Sequence, residues 1–162
     1  MCLLIFFGCA QSDGPTVESS TYDLMLRALL DHNVPEMSVP ELADEPYRYT
    51  ILDAREEAEY NVSHIESAVW VGYEDFDRER LKGVDLNEPI VVYCSVGYRS
   101  EKITDQLIYL GYTNVFNLYG GIFEWVNQGN PVYNNNGTET EKVHAYNRAW
   151  GAWLSEGEKV YE

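Results

Sequence analysis

The sequence predicts an α/β fold, a parallel sheet with helices on both faces, formed by one domain. Three observations lead there. Short apolar runs, TILD, AVWV, IVVY and NVFNL, are separated by stretches of helical spacing rather than by two-residue turns, the alternation that builds a parallel sheet. IVVY at 90–93 is the most β-branched run in the chain, as a central strand buried on both faces requires. With 162 residues, 45% hydrophobic and 14% aromatic, the chain has material for one packed core and lacks the aromatic-poor signature of disorder.

In chain order, residues 9–20 are polar, with Gly14 and Pro15, and read as a tether. Residues 21–32 place Leu24, Met25, Ala28 and Leu29 at helical spacing, so an N-terminal helical extension is expected over 21–37. SVPEL at 38–42 reads as an edge strand turning into a helical turn with proline at its start. YTILDA at 49–54 suits a buried strand, REEAEYN at 55–61 a helical turn, and AVWV at 68–71 the next strand. After IVVY, residues 100–110 put Ile103, Leu107 and Leu110 on one helical face, stopped by Gly111. NVFNL at 114–118 is a strand closed by Gly120 and Gly121, and IFEWVN at 122–127 is a short helix ending near Gly129. NNNG at 134–137 is a loop. Val143, Tyr146, Trp150, Trp153 and Leu154 then fall at helical spacing, predicting a C-terminal amphipathic helix within 132–162 that packs on the domain.

Eleven Lys and Arg against 27 Asp and Glu give a net charge of -16. Such a chain repels nucleic acid and anionic headgroups and offers no basic stripe for phosphates. Any anion site must work through a strong local positive potential. His32, His64 and His144 have no ligand spacing with Cys94 or with each other, so no metal site is expected. His64 reads as a turn or core histidine.

The cysteines are Cys2, Cys9 and Cys94, which give no disulfide framework. MCLLIFFGCAQSDG holds an apolar run too short to span a membrane and ends in Gly8 before Cys9. It resembles a bacterial lipoprotein signal, which implies loss of residues 1–8, acylation of Cys9 and a lipid-anchored position at the cell envelope, facing periplasm or exterior.

Cys94 sits at the carboxyl end of the central strand, where ligands of parallel α/β sheets bind. In CSVGYRS the next helix begins near Arg99 and Ser100, aiming unpaired N–H groups at the loop, and Gly97 lets the backbone curl so that they converge. Cys94, Ser95, Val96, Gly97, Tyr98, Arg99 and Ser100 thus read as an anion cradle around a nucleophilic sulfur. The alternative is a packed Cys94, with Arg99 in a structural ion pair to Asp53 or Glu59. Tyrosine-phosphatase-type loops place five residues between cysteine and arginine; here there are four. A tighter ring of donors suits a bound sulfur atom better than a phosphate.

From 38 to 131 the chain resembles the rhodanese family of sulfurtransferases. The resemblance rests on SVPEL, LDAREEAEY at 52–60, SHIESA at 63–68, CSVGYRS at 94–100 and GYTNVFNLYGGIFEW at 111–125, in that order. It implies a five-stranded parallel sheet and covalent catalysis through a Cys94 persulfide, with no separate cofactor. The implied donor is thiosulfate or a similar compound, and the acceptor cyanide, a thiol, a protein sulfur acceptor or a thioredoxin-like reductant. Arg99 is expected to bind the donor anion, Asp53, Arg55 and Glu59 to brace the loop, and Tyr98 to line its mouth. A rival reading is a non-catalytic or carrier module that binds a partner through Trp150 and Trp153. Ser63 and Glu66-Ser67 stand where the family has Gly and Pro-Gly, predicting an altered turn there.

Overall fold

The computed structural model describes residues 14–161, so Cys2, Cys9 and the lipoprotein-like segment lie outside the described residues. Among them, no helix is long and apolar enough to cross a membrane.

Five parallel strands form the sheet: β1 (Glu36–Met37), β2 (Thr50–Asp53), β3 (Val69–Trp70), β4 (Ile90–Tyr93) and β5 (Val115–Leu118), in the order β1-β5-β4-β2-β3. The IVVY strand is central, as its composition predicts. Its alternation divides two cores. Val91 and Tyr93 join one cluster, and Ile90 and Val92 the other, because successive side chains of a strand face opposite ways.

The face of Ile90 and Val92 is covered by α4 (Tyr98–Tyr109), which contributes Ile103 and Leu107. Gly111 at φ 98° ends this helix. Its N–H donates to Ile108 O at 3.0 Å and that of Tyr112 to Leu107 O at 3.1 Å, the paired bonds of a Schellman cap. The opposite face is covered by α1 (Ser20–Leu29), α2 (Val39–Asp44) and α5 (Gly121–Asn127). Ser38 is the N-cap of α2 and forms a reciprocal capping box with Glu41. The edge strand therefore precedes SVPEL rather than beginning in it.

α3 (Glu57–Val62) follows β2. In the SHIESA turn Ser67 takes φ 61°, a left-handed conformation that glycine adopts freely and other residues only at a cost of about 1 kcal/mol.

The expected C-terminal helix is not formed. Residues after α5 make an antiparallel pair, β6 (Val132–Tyr133) with β7 (Glu139–Thr140), and a parallel pair, β8 (Lys142–His144) with β9 (Glu158–Val160). Only Trp150–Trp153 is helical, as one 3-10 turn. Asn147 Oδ1 accepts from the N–H groups of Ala149 and Trp150, a local bond that competes with helix propagation, and Gly151 in the middle disfavours helix further. The stripe still packs in part: Val143 and Leu154 enter the core, Trp153 stacks on Tyr22 with ring centroids 5.4 Å apart, and Tyr146 stays exposed. Trp153 is thus taken up inside the fold.

Candidate active site

The loop after β4 carries Cys94, which is 1% exposed, into α4. Gly97 is the N-cap of that helix, at φ 117°, so α4 begins at Tyr98, a residue before the expected start. This left-handed turn brings Gly97 N–H to 3.2 Å from Cys94 Sγ.

The carbonyls of the loop turn the other way. Cys94 O accepts from Ile122 N–H at 2.9 Å and Ser95 O from Phe123 N–H at 3.1 Å, both at the start of α5. With those oxygens engaged, the N–H groups of Ser95, Val96, Tyr98 and Arg99 have no protein partner among the described residues. Gly121 makes this contact possible: a Cβ there would stand 2.5 Å from Cys94 O and 2.7 Å from Ser95 O.

Ser100 Oγ lies 3.4 Å from Cys94 Sγ, 3.1 Å from Gly97 O and 2.7 Å from Asn117 Oδ1. Its single proton has three acceptors within reach. Asn117, fully buried on β5, also donates from Nδ2 to Gly97 O at 3.1 Å, and so ties the turn to the sheet. Asn117 escaped the sequence reading; its one signal is a polar residue inside an apolar strand run.

Arg99 stands in an ion pair with Glu59. Nη1 donates to Glu59 Oε2 at 2.6 Å and Nη2 to Oε1 at 2.9 Å, while Nη2 also reaches Ser95 Oγ at 3.0 Å. Of the two carboxylates considered from sequence, Glu59 is the partner. Burial would raise the Glu59 carboxyl, but the hydrogen bonds and charge of Arg99, with Arg55 behind it, outweigh burial and hold it below its usual range. Arg99 in turn stays protonated above its ordinary value, since the Glu59 bonds and the Cys94 and Glu59 charges outweigh its own desolvation.

Asp53 and Arg55 form a separate, fully buried pair. Arg55 Nη2 donates to Asp53 Oδ2 at 2.6 Å and to Ser63 O at 2.6 Å, and Tyr93 O–H donates to Asp53 Oδ2 at 2.6 Å. They brace β2 against β4 and the SHIESA turn rather than touching the cysteine loop. Glu59 alone of the three reaches the loop, through Ser95 and Arg99. His64 is structural: it stacks on Tyr60 at 4.0 Å and bridges Tyr133. The described residues contain no cluster of His, Cys, Asp and Glu that could hold a metal ion.

Above Cys94 opens a cleft of about 480 Å³ lined by Glu56, Tyr73, Glu74, Cys94, Ser95, Val96, Tyr98, Arg99, Tyr146 and Trp150. Tyr98 lines it as expected. Tyr146 and Trp150 reach it from the C-terminal segment, and Tyr146 presents its ring to the Arg99 guanidinium at 5.2 Å.

Comparison with known proteins agrees with this geometry. The family model of the rhodanese-like domain matches residues 38–128. A tRNA uridine(34) hydroxylase of Yersinia enterocolitica is 32% identical over 99 residues, covering 58% of this chain and 28% of that protein; the chain thus spans under a third of such relatives. A rhodanese-related protein from Thermoplasma volcanium superposes with a TM-score of 0.55 at 28% identity, covering 60% of this chain and 96% of that one. The thiosulfate sulfurtransferase of Pseudomonas aeruginosa shares the fold, with a TM-score of 0.56 at 24% identity, covering 70% of this chain and 22% of that one. With the family match spanning more than half of the chain, and the cysteine loop and parallel sheet in place, the protein belongs to the rhodanese-like domain family.

Proposed function

We propose that the rhodanese-like domain of this chain is a sulfurtransferase working through a Cys94 persulfide. The observation that supports this reading is the placement of Gly97 N–H at 3.2 Å and Ser100 Oγ at 3.4 Å from Cys94 Sγ, at the N-terminus of α4, in a loop whose Cys94 and Ser95 carbonyls are engaged by α5. Donors at a helix N-terminus suit the terminal sulfur of a persulfide.

In the first step the Cys94 thiolate attacks the outer sulfur of a donor such as thiosulfate. A Cys94 S–S bond forms, the donor S–S bond breaks, and sulfite leaves with the electron pair. In the second step a thiolate or cyanide attacks the outer sulfur, taking it as persulfide or thiocyanate and returning the Cys94 thiolate. Two covalent half-reactions predict ping-pong kinetics. Arg99, anchored by Glu59, fixes Ser95 and the loop shape, and its charge supports the anionic sulfur. The hydroxylation of tRNA named for the curated relatives is not carried over: the shared part is 28% of that protein, and a net charge of -16 opposes RNA.

The test is mass spectrometry of the intact protein after incubation with thiosulfate or a low-molecular-weight persulfide. Wild type gains one sulfur on the Cys94 peptide and loses it to cyanide, and Cys94→Ala gains none. Equal labelling of both proteins, or none on wild type with any donor, overturns the reading.

A further inference from the structure

The lining of the Cys94 cleft has a charge opposite to that a small dianionic donor needs. Its one cation, Arg99, has Glu59 on both guanidinium arms and Glu56 at 3.9 Å from Nη1. Glu56 and Glu74 add two exposed carboxylates at the rim, neither of them, among the described residues, in an ion pair beyond the long Glu56–Arg99 contact. The walls are aromatic. Tyr73, Tyr98, Tyr146 and Trp150 surround the opening. Two rings already receive a cation of this chain, Tyr146 from Arg99 at 5.2 Å and Tyr98 from Lys102 at 5.4 Å. Tyr73 and Trp150 have none among the described residues. Aromatic faces beside carboxylates attract ammonium and guanidinium groups, and a cleft of about 480 Å³ holds a small ligand or a side chain with its neighbours.

We propose that the sulfur compound exchanged at Cys94 is cationic: a thiol or persulfide bearing an ammonium or guanidinium group, seated between Trp150 and Tyr73 with its charge toward Glu56 and Glu74. This deepens the sulfur-transfer reading and rests on it. In the second half-reaction the cationic thiolate attacks the outer sulfur of the Cys94 persulfide and departs as its own persulfide, returning the Cys94 thiolate. Glu56, Tyr73 and Glu74 lie within residues 38–128 matched by the family model, and Tyr146 and Trp150 beyond them, so the cleft combines the family domain with the C-terminal segment of this chain.

Charged thiosulfonates test it on the Cys94 thiol itself, and so remain readable if no persulfide forms. Cys94 attacks the sulfenyl sulfur, a mixed disulfide forms, the S–SO2 bond breaks and methanesulfinate leaves. Full-length protein is treated with the trimethylammonium-ethyl and the sulfonatoethyl reagent. The rate at the Cys94 peptide is followed by mass and divided by each reagent's rate with free mercaptoethanol. The expected cation-to-anion ratio is about tenfold at low salt, shrinking toward unity as salt rises. Glu56→Gln combined with Glu74→Gln lowers it at least about threefold. Glu139→Gln with Glu156→Gln, removing the same charge outside the cleft, leaves it in place. A wild-type ratio of one or less overturns the proposal, as does a ratio that both double variants change equally. A second arm separates the two sources of such a ligand, using arginine-cysteine-arginine and glutamate-cysteine-glutamate tripeptides activated as thionitrobenzoate mixed disulfides. A peptide ratio above the small-reagent ratio assigns a basic polypeptide, and an equal one a small cationic thiol; both support the charge class. A ratio of one or less with the peptides counts against it.

Discussion

Glu59 collects four donors on two oxygens: both Arg99 arms, Ser95 O–H at 3.1 Å and Glu56 N–H at 3.0 Å. Its side chain is 2% exposed and that of Arg99 14%, so loss of the carboxylate leaves a largely desolvated guanidinium. Glu59→Ala is expected to lower stability by about 3 kcal/mol and to slow sulfur loading of Cys94, measured by denaturant unfolding and by mass. The pH sign follows from the depressed carboxyl. A group whose pKa is lower folded than unfolded stabilises fully above its unfolded value, about 4.3 for glutamate, and loses that contribution as pH falls through the folded value. Wild type minus Glu59→Gln stability should therefore be flat above about pH 5 and decline below about pH 4; a flat difference across that acid range would count against the clamp. At this scale the sequence disclosed the cysteine, the glycine turn and the arginine, because each residue type has few uses at that spacing. It did not disclose which carboxylate Arg99 meets, since Asp53 and Glu59 both stand near strand β2 in sequence and only packing sends Asp53 to Arg55. Asn117 was illegible for a related reason: one polar residue in a strand names no partner across the sheet.

Among the elements, α5 does most to shape the loop, and it does so through backbone. Gly121 has φ 57° as well as the 2.5 Å approach to Cys94 O. Gly121→Ala is expected to cost more than about 2 kcal/mol and to abolish persulfide loading, because backbone carbonyls cannot rotate aside as a flexible side chain does. Gly111→Ala is the comparison. Its φ is 98° but a Cβ there meets nothing within 4 Å, so it should cost about 1 kcal/mol of backbone strain and leave loading intact. Equal loss of loading in both would remove the α5 contact from the account. The glycine pair was legible as a strand end, while its purpose, a close approach to a loop some 25 residues earlier in the chain, was not. The C-terminal segment shows the opposite failure. Most of its apolar residues do pack on the domain, but periodicity alone could not distinguish a helix from strands and a 3-10 turn, and the Asn147 hydrogen bonds that stop helix growth are visible only in the structure.

Across the whole molecule, a net charge of -16 sets the long-range field. For an anionic donor such as thiosulfate, added salt should screen that repulsion and raise kcat/KM, whereas a cationic thiol should lose rate under the same conditions; a fall for thiosulfate together with a rise for the cationic thiol would contradict the field argument. The five-strand order β1-β5-β4-β2-β3 puts the cysteine loop after the central strand, at the carboxyl edge where parallel sheets bind ligands. The sequence by itself determined the alternation of strands and helices, the central position of IVVY and the cysteine, glycine and arginine of the loop, because these follow from local periodicity, side-chain shape and spacing along one segment. Only the tertiary structure decided that α5 turns the loop carbonyls outward, that Glu59 occupies Arg99, and that Tyr146 and Trp150 wall the cleft. Those outcomes depend on which distant segments share space, a choice made by packing of the two cores and carried by no residue alone.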